Sequence, residues 1–409
     1  MKRIFTLISC CLVSSATLMA QSECDGTRYR TPNLFSNVDV TSAVTYGSNT
    51  ALGGGNATLR LDVYRPAGDV ETNRPVIVVA FGGSFISGSR GDVASICRTF
   101  AKMGYVAIAP DYRVGFFLPN QITTTLAVFR GAHDMKAVVR FLRKSVAEGG
   151  NPYGIDAERI IVGGVSAGAI AAIHAAYLDK IEEIPAYMAN DTAGLGGVEG
   201  NSGNPGYSSR PRAVLSFSGT IGDSTWIEPN DLPIVSIHED LDATVPYGTQ
   251  EVNALGIATG LIASGSRDIH VRAENLGIDN CLLTYPDNAN HCGYLAGGIQ
   301  PIVLEFVSRF CADIVCDGGS FCGSTFVSID EATAQTERIN LFPNPTSGDL
   351  QFTAKSQGVV EVYDMTGRML MSRPMMAGTQ QLDVHALPHG TFILRLIGEE
   401  VSTVKFVKE

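Results

Sequence analysis

The chain has 409 residues, 45% hydrophobic and 17% charged, enough apolar material for one large globular domain and a small companion, and too much for a disordered chain. Its formal net charge of -11, with no block of Lys or Arg, argues against a nucleic-acid or anionic-membrane partner, because nothing offers phosphates a counter-charge.

Residues 1–20 open with Lys2 and Arg3, run through a short apolar core and reach Ala20 before the polar Gln21. That pattern predicts a cleaved secretory signal peptide, too short for a transmembrane segment. Cys10 follows Arg3 too closely for a lipoprotein signal. Beyond this segment stand Cys24, Cys97, Cys281, Cys292, Cys311, Cys316 and Cys322. Export permits disulfides, and the odd count leaves at least one thiol outside an intramolecular pair. A Cys281–Cys292 bridge is not expected: residues 281–285 read as a strand with Cys292 beyond its far end, roughly 15 Å away. No C-x-x-C pair and no histidine cluster suggests a metal, and no cofactor is expected.

From residue 59 to 310 strand-like and helix-like segments alternate. Residues 59–64, 75–81, 105–110, 159–163, 213–217, 233–237 and 281–285 read as strands, most of them continuous apolar runs of the kind buried on both faces. Helical patterns fall at 92–103, 126–147, 167–179, 249–263 and 299–310. The alternation predicts an α/β fold with a doubly wound, mostly parallel sheet. The glycine-rich stretch 194–206 follows no strand, so it reads as a surface loop rather than a dinucleotide-binding turn. After Cys322 the pattern changes to short alternating runs separated by turn pairs such as Asn344-Pro345 and His389-Gly390, which predicts a small all-β sandwich with His385 and His389 in solvated loops. The expected organisation is a signal at 1–20, a main domain at 21–325, a linker at 326–338 and a terminal domain at 339–409.

Gly164-Val165-Ser166-Ala167-Gly168 sits between an apolar strand and a small-residue helix, the context in which a G-x-S-x-G turn lifts a serine hydroxyl clear of a sheet. A serine needs a histidine to take its proton and a carboxylate to orient that histidine. Ser166, Asp242 and His291 each follow a predicted strand, which puts all three at the carboxyl edge of a parallel sheet where ligands bind. Asp242 shares its segment with Glu239 and Asp240, and Asp240 is its nearest competitor. His270 reads as a packed or solvated helical residue, and His133 and His174 as structural. Gly83 and Ser84, in the turn Phe81-Gly82-Gly83-Ser84-Phe85 after a strand, would join Ala167 in offering backbone N–H groups to an oxyanion.

Across roughly residues 45–310 these motifs, with Leu61-Asp62-Val63-Tyr64-Arg65-Pro66, Asp111-Tyr112-Arg113 and Val245-Pro246, resemble the α/β-hydrolase carboxylesterases, particularly the branch of hormone-sensitive lipase and the feruloyl and acetyl-xylan carbohydrate esterases. The family's oxyanion motif usually begins with His where this chain has Phe81, so the loop's support must differ. Residues 341–348, 362–368, 387–392 and the ending Lys405-Phe406-Val407-Lys408 resemble the type IX secretion sorting domain of Gram-negative bacteria. That resemblance implies passage through the periplasm to the surface or exterior by the type IX machinery.

The resemblance implies hydrolysis of carboxylic esters through an acyl-enzyme. Little helical pattern precedes residue 55, and residues 218–232 are too few for a lid, so the expected insertion beside the site is the loop 181–212. An open, loop-bordered site would admit bulky or polymer-linked esters, whether carbohydrate, feruloyl, acetyl or polyester, with Phe116, Phe117 and Leu118 as a candidate apolar wall. Two other readings share these residues: a serine peptidase of the prolyl-oligopeptidase type, which would lack its usual gating domain, and a non-catalytic binding module on a hydrolase scaffold.

Overall fold

Val38–Thr50 (β1) and Asn56–Pro66 (β2) form a long antiparallel pair at one edge of a sheet that continues through Val106–Pro110 (β4), Arg74–Ala80 (β3), Ile155–Val165 (β5), Ala213–Phe217 (β6), Ile234–Glu239 (β8), Asn280–Tyr285 (β11) and Phe326–Ser328 (β12). The computed structural model describes residues 24–116, 118–188, 195–254, 256–316, 322, 326–328, 341–364, 369–398 and 401–409; the expected signal segment and most of the linker fall outside them. Strand order β1-β2-β4-β3-β5-β6-β8-β11-β12 makes the sheet parallel from β4 to β11, with β2 running against β4. Every residue of β3, β4, β6 and β8 is buried, the consequence of helices covering both faces of a parallel sheet. Those helices are Ala94–Lys102 (α1), Gln121–Ala147 (α2), Ala167–Tyr177 (α3), Ser266–Asn275 (α4) and Pro301–Val315 (α5). The side chain of Asn120 accepts from the Thr123 amide at 3.0 Å and Thr123 Oγ1 accepts from the Asn120 amide at 3.1 Å, a reciprocal cap that starts α2. No helix among the described residues is long and apolar enough to cross a membrane.

Several elements differ from the sequence reading, among them β12, which takes residues 326–328 expected as the start of the linker. Residues 249–263, expected as a helix, are a hairpin of Gln250–Ala254 (β9) and Ile257–Gly265 (β10), and β10 pairs further with Thr220–Ile221 (β7). Gly256 and Gly260 adopt φ of +75° and +71°, which a right-handed helix forbids and a hairpin with a bulge uses. Strand β1 has no counterpart in the sequence reading. It is an edge strand, exposed along most of its length and broken by two register shifts, so it carries little apolar periodicity.

Cys24 pairs with Cys316 and Cys281 with Cys322, while Cys97, Cys292 and Cys311 are free. Cys281 thus finds a partner in the segment after α5 and not in Cys292.

Chain contacts divide the molecule into residues 1–326 and 327–409. In the second unit Asp349–Ala354 (β13) pairs with Gly378–Asp383 (β16), and Gly358–Asp364 (β14), Met369–Met375 (β15), Gly390–Ile397 (β17) and Val401–Lys408 (β18) form a four-stranded sheet in the order β15-β14-β17-β18. Burial alternates strictly along β13, and Leu350, Val362, Leu394 and Phe406 meet in a core of their own.

Candidate active site

Ser166 stands between β5 and α3 at φ +53° and ψ -120°, a conformation costly for any residue with a side chain. The flanking glycines make it possible. A Cβ on Gly164 would lie 2.4 Å from the carbonyl carbon of Gly168, and one on Gly168 would lie 2.3 Å from the carbonyl oxygen of Ala80. The Ser166 amide donates to Phe217 O at 2.8 Å, tying the turn to the end of β6.

His291 arrives on the loop after β11, and Asp242 on the loop after β8. His291 Nε2 lies 2.7 Å from Ser166 Oγ, and His291 Nδ1 lies 2.6 Å from Asp242 Oδ2. The structure therefore brings together the three side chains that chain order had grouped. Asp242 is 5% exposed, and its other oxygen accepts from the amides of Thr244 and Val245 at 2.8 and 3.0 Å. Burial opposes its charge, but hydrogen bonds from His238 and His291 outweigh burial and hold the carboxyl well below the usual range. For His291 burial works against protonation, while the Asp242 carboxylate and the neighbouring Cys292 sulfur together more than offset it and raise the imidazole above its ordinary value. The competitor Asp240 faces elsewhere: its carboxylate accepts from the Asn288 amide at 3.2 Å and so fastens the loop that carries His291.

Two polar residues beside this set have roles the sequence reading did not assign, Glu239 having stood there only as one of the carboxylates of the acid segment. His238 is fully buried, its Nδ1 2.8 Å from Ser266 Oγ and its Nε2 3.2 Å from Val245 O and 3.4 Å from Asp242 Oδ2. Acceptors on both sides of Nε2 place the proton there, so His238 braces the acid. Glu239, also fully buried, accepts from the Gly293 amide at 2.7 Å, the Cys292 amide at 3.2 Å and Ser218 Oγ at 3.2 Å. It grips the backbone directly after His291. The available signal was their position, the last two residues of a fully buried strand, where a polar side chain needs a partner.

In the turn after β3, Gly83 has φ +122° and Ser84 +55°, and a Cβ on Gly82 would come 3.3 Å from Ser166 Cβ. The turn thus runs against the serine, and Ala167 opens α3, where a helix leaves its first N–H groups without intrahelical acceptors. Phe81 supplies its support: its ring stacks on Tyr112 at 4.3 Å, and Tyr112 Oη donates to Phe81 O at 2.8 Å.

The other histidines have structural surroundings. His174 Nδ1 contacts Ile170 O at 2.8 Å and its Nε2 accepts from the Gly222 amide at 3.1 Å. His270 Nδ1 meets Asn280 Oδ1 at 2.9 Å, and His133 is buried beneath Gly200. The stretch 194–206 contributes Glu199, which pairs with the buried Lys136 and Arg140 of α2. Among the described residues the one group with spacing for a metal ion is Asp349, Asp383 and His385, exposed in the terminal unit.

Beside Ser166 opens an apolar cavity of about 100 Å³, lined by Ser84, Ala167, Ile170 and Ile221 and by Val252 and Leu261 of the β9–β10 hairpin. This corrects the expected border: among the described residues none of 181–212 lines the cavity, and the hairpin does. Phe116 contributes to the wall, Leu118 is 82% exposed, and Phe117 lies outside the described residues.

Residues 61–199 match the BD-FAE family, and residues 340–409 match the secretion system C-terminal sorting domain. Among solved structures, esterase 2 of the planctomycete Thermogutta terrifontis is similar in its propionate-bound form (22% identity, TM-score 0.48, covering 68% of this chain and 94% of that one). Its paraoxon-phosphorylated form is similar at 23% identity and TM-score 0.44, covering 63% and 85%. No curated protein matches the sequence.

Proposed function

We propose that this chain, an α/β-hydrolase of the BD-FAE esterase family carrying a type IX secretion sorting domain, is a serine carboxylesterase that works through Ser166, His291 and Asp242. The observation that carries the reading is the pair of short hydrogen bonds linking Asp242 to His291 and His291 to Ser166. In this reading His291 Nε2 takes the Ser166 proton as Oγ attacks the ester carbonyl carbon, and Asp242 holds the imidazole with Nδ1 protonated and stabilises the imidazolium. The carbonyl electrons move to oxygen, and the amides of Gly83, Ser84 and Ala167 face the resulting oxyanion. Collapse expels the alcohol, which takes the proton from His291, and leaves an acyl-Ser166. Water, deprotonated by the same imidazole, releases the acid and restores the hydroxyl. Each step moves one proton through one nitrogen, so no metal or cofactor enters.

The terminal domain directs the protein by type IX secretion to the cell surface or outside, where ester substrates reach it without crossing a membrane. The test is covalent: a fluorophosphonate should label Ser166, identified by peptide mass, and Ser166→Ala should abolish both labelling and hydrolysis of p-nitrophenyl acetate with the fold intact by circular dichroism. Labelling at another residue, or more than a few per cent residual turnover, would remove Ser166 from the reaction.

A further inference from the structure

The β9–β10 hairpin forms part of the wall of the cavity beside Ser166, and the cavity's chemistry follows from which part of an ester would enter it. His291 Nε2 has to reach the departing alcohol oxygen, so the alcohol lies on the imidazole side. The cavity is lined by Ser84, Ser166 and Ala167, next to the amides that face the carbonyl oxygen, and His291 stands outside its lining. The group that enters it is the acyl chain.

Its size is small. About 100 Å³ compares with roughly 300–1,000 Å³ for pockets that hold drug-sized ligands. Val252, Leu261 and Ala263 of the hairpin line it, and the alternation of side chains along β10 puts Leu261 and Ala263 on the cavity face while Ile262 is 55% exposed. The base of the hairpin is fastened: Ser264 and Gly265 pair with β7, Thr220 Oγ1 donates to Ser264 O at 2.6 Å, and the Gly265 amide donates to Gly248 O at 3.2 Å. Nearer the pocket, Thr259 Oγ1 donates to Val252 O at 2.8 Å and accepts from the Leu261 amide at 3.1 Å, which joins the two strands across the turn. A roof held this way yields little to a longer chain.

We infer that the hairpin residues Val252 and Leu261 are the specificity determinants of this enzyme, limiting it to esters of short aliphatic acids, acetyl to butyryl, and excluding feruloyl and other aromatic acyl groups. The inference rests on the serine-esterase reading. The hairpin thus discriminates size on the acid.

The full chain is assayed on p-nitrophenyl acetate, butyrate, hexanoate and octanoate and on p-nitrophenyl ferulate, with wild type, Leu261→Ala and Val252→Ala. Wild-type kcat/KM should fall at least tenfold from butyrate to octanoate and be lower still on ferulate, and either substitution should raise hexanoate relative to acetate by roughly tenfold. Wild-type activity on octanoate or ferulate equal to that on acetate would overturn the inference. So would unchanged chain-length profiles in both variants with native circular dichroism. Inactivity on every ester would instead remove the esterase reading, and this inference with it.

Discussion

Asp240 and Asp242 lie two residues apart on one loop, yet only Asp242 reaches His291 Nδ1, while Asp240 accepts from the Asn288 amide. Asp242→Asn should therefore lower kcat by about three to four orders of magnitude through the wrong imidazole tautomer, and Asp240→Asn, which keeps an acceptor for Asn288, should stay within a few-fold of wild type. The pH dependence has a definite sign. Burial pulls the pKa of His291 down, but Asp242 together with Cys292 pushes it up further, so the free base forms only above the ordinary histidine range. The kcat/KM profile should accordingly rise with pH along an alkaline-shifted limb, and Asp242→Asn should move that limb to lower pH. An Asp242→Asn limb coincident with wild type would mean that Asp242 does not set the basicity of His291.

At the scale of elements, Glu239 holds the loop after β11 through the amides of Cys292 and Gly293. Glu239→Ala would take that acceptor from the half-buried amides of Cys292 and Gly293. Turnover should fall at least tenfold as His291 loses its position, with KM little changed. Glu239→Gln retains one oxygen for the Gly293 amide and should recover much of the loss. Kinetics of both variants beside thermal unfolding separate positioning from stability: equal losses in the two would make Glu239 a plain structural residue. The covering helices and the central strands were legible because continuous apolar runs and the 3.6-residue period arise directly from burial on two faces or on one. The hairpin was not. Its small and apolar residues fit either period, and the positive φ of Gly256 and Gly260 is a property of the folded turn.

For the whole molecule, both disulfides join residues within 1–326, and the terminal unit has its own core. A chain ending after Ser328 should therefore fold, retain kcat within about twofold and stay in the periplasm of its native host, because it lacks the sorting domain. Assay of purified protein and fractionation of cells check the two halves separately. Surface delivery without residues 340–409 would contradict the role of that domain, and loss of folding would show that the units depend on each other.

The sequence by itself determined the doubly wound fold, the strained serine turn, the order of the three interacting side chains and the sorting domain, because each is written in local periodicity or in a short motif that dictates backbone geometry. Tertiary structure alone decided which carboxylate of the 239–242 segment meets His291, that Glu239 and His238 brace the loops, that Cys281 joins Cys322, and that a hairpin roofs the cavity. The physical reason is common to these. Each depends on where a side chain or strand points relative to residues tens to hundreds of positions away, and such directions arise only when the sheet and its loops close on one another.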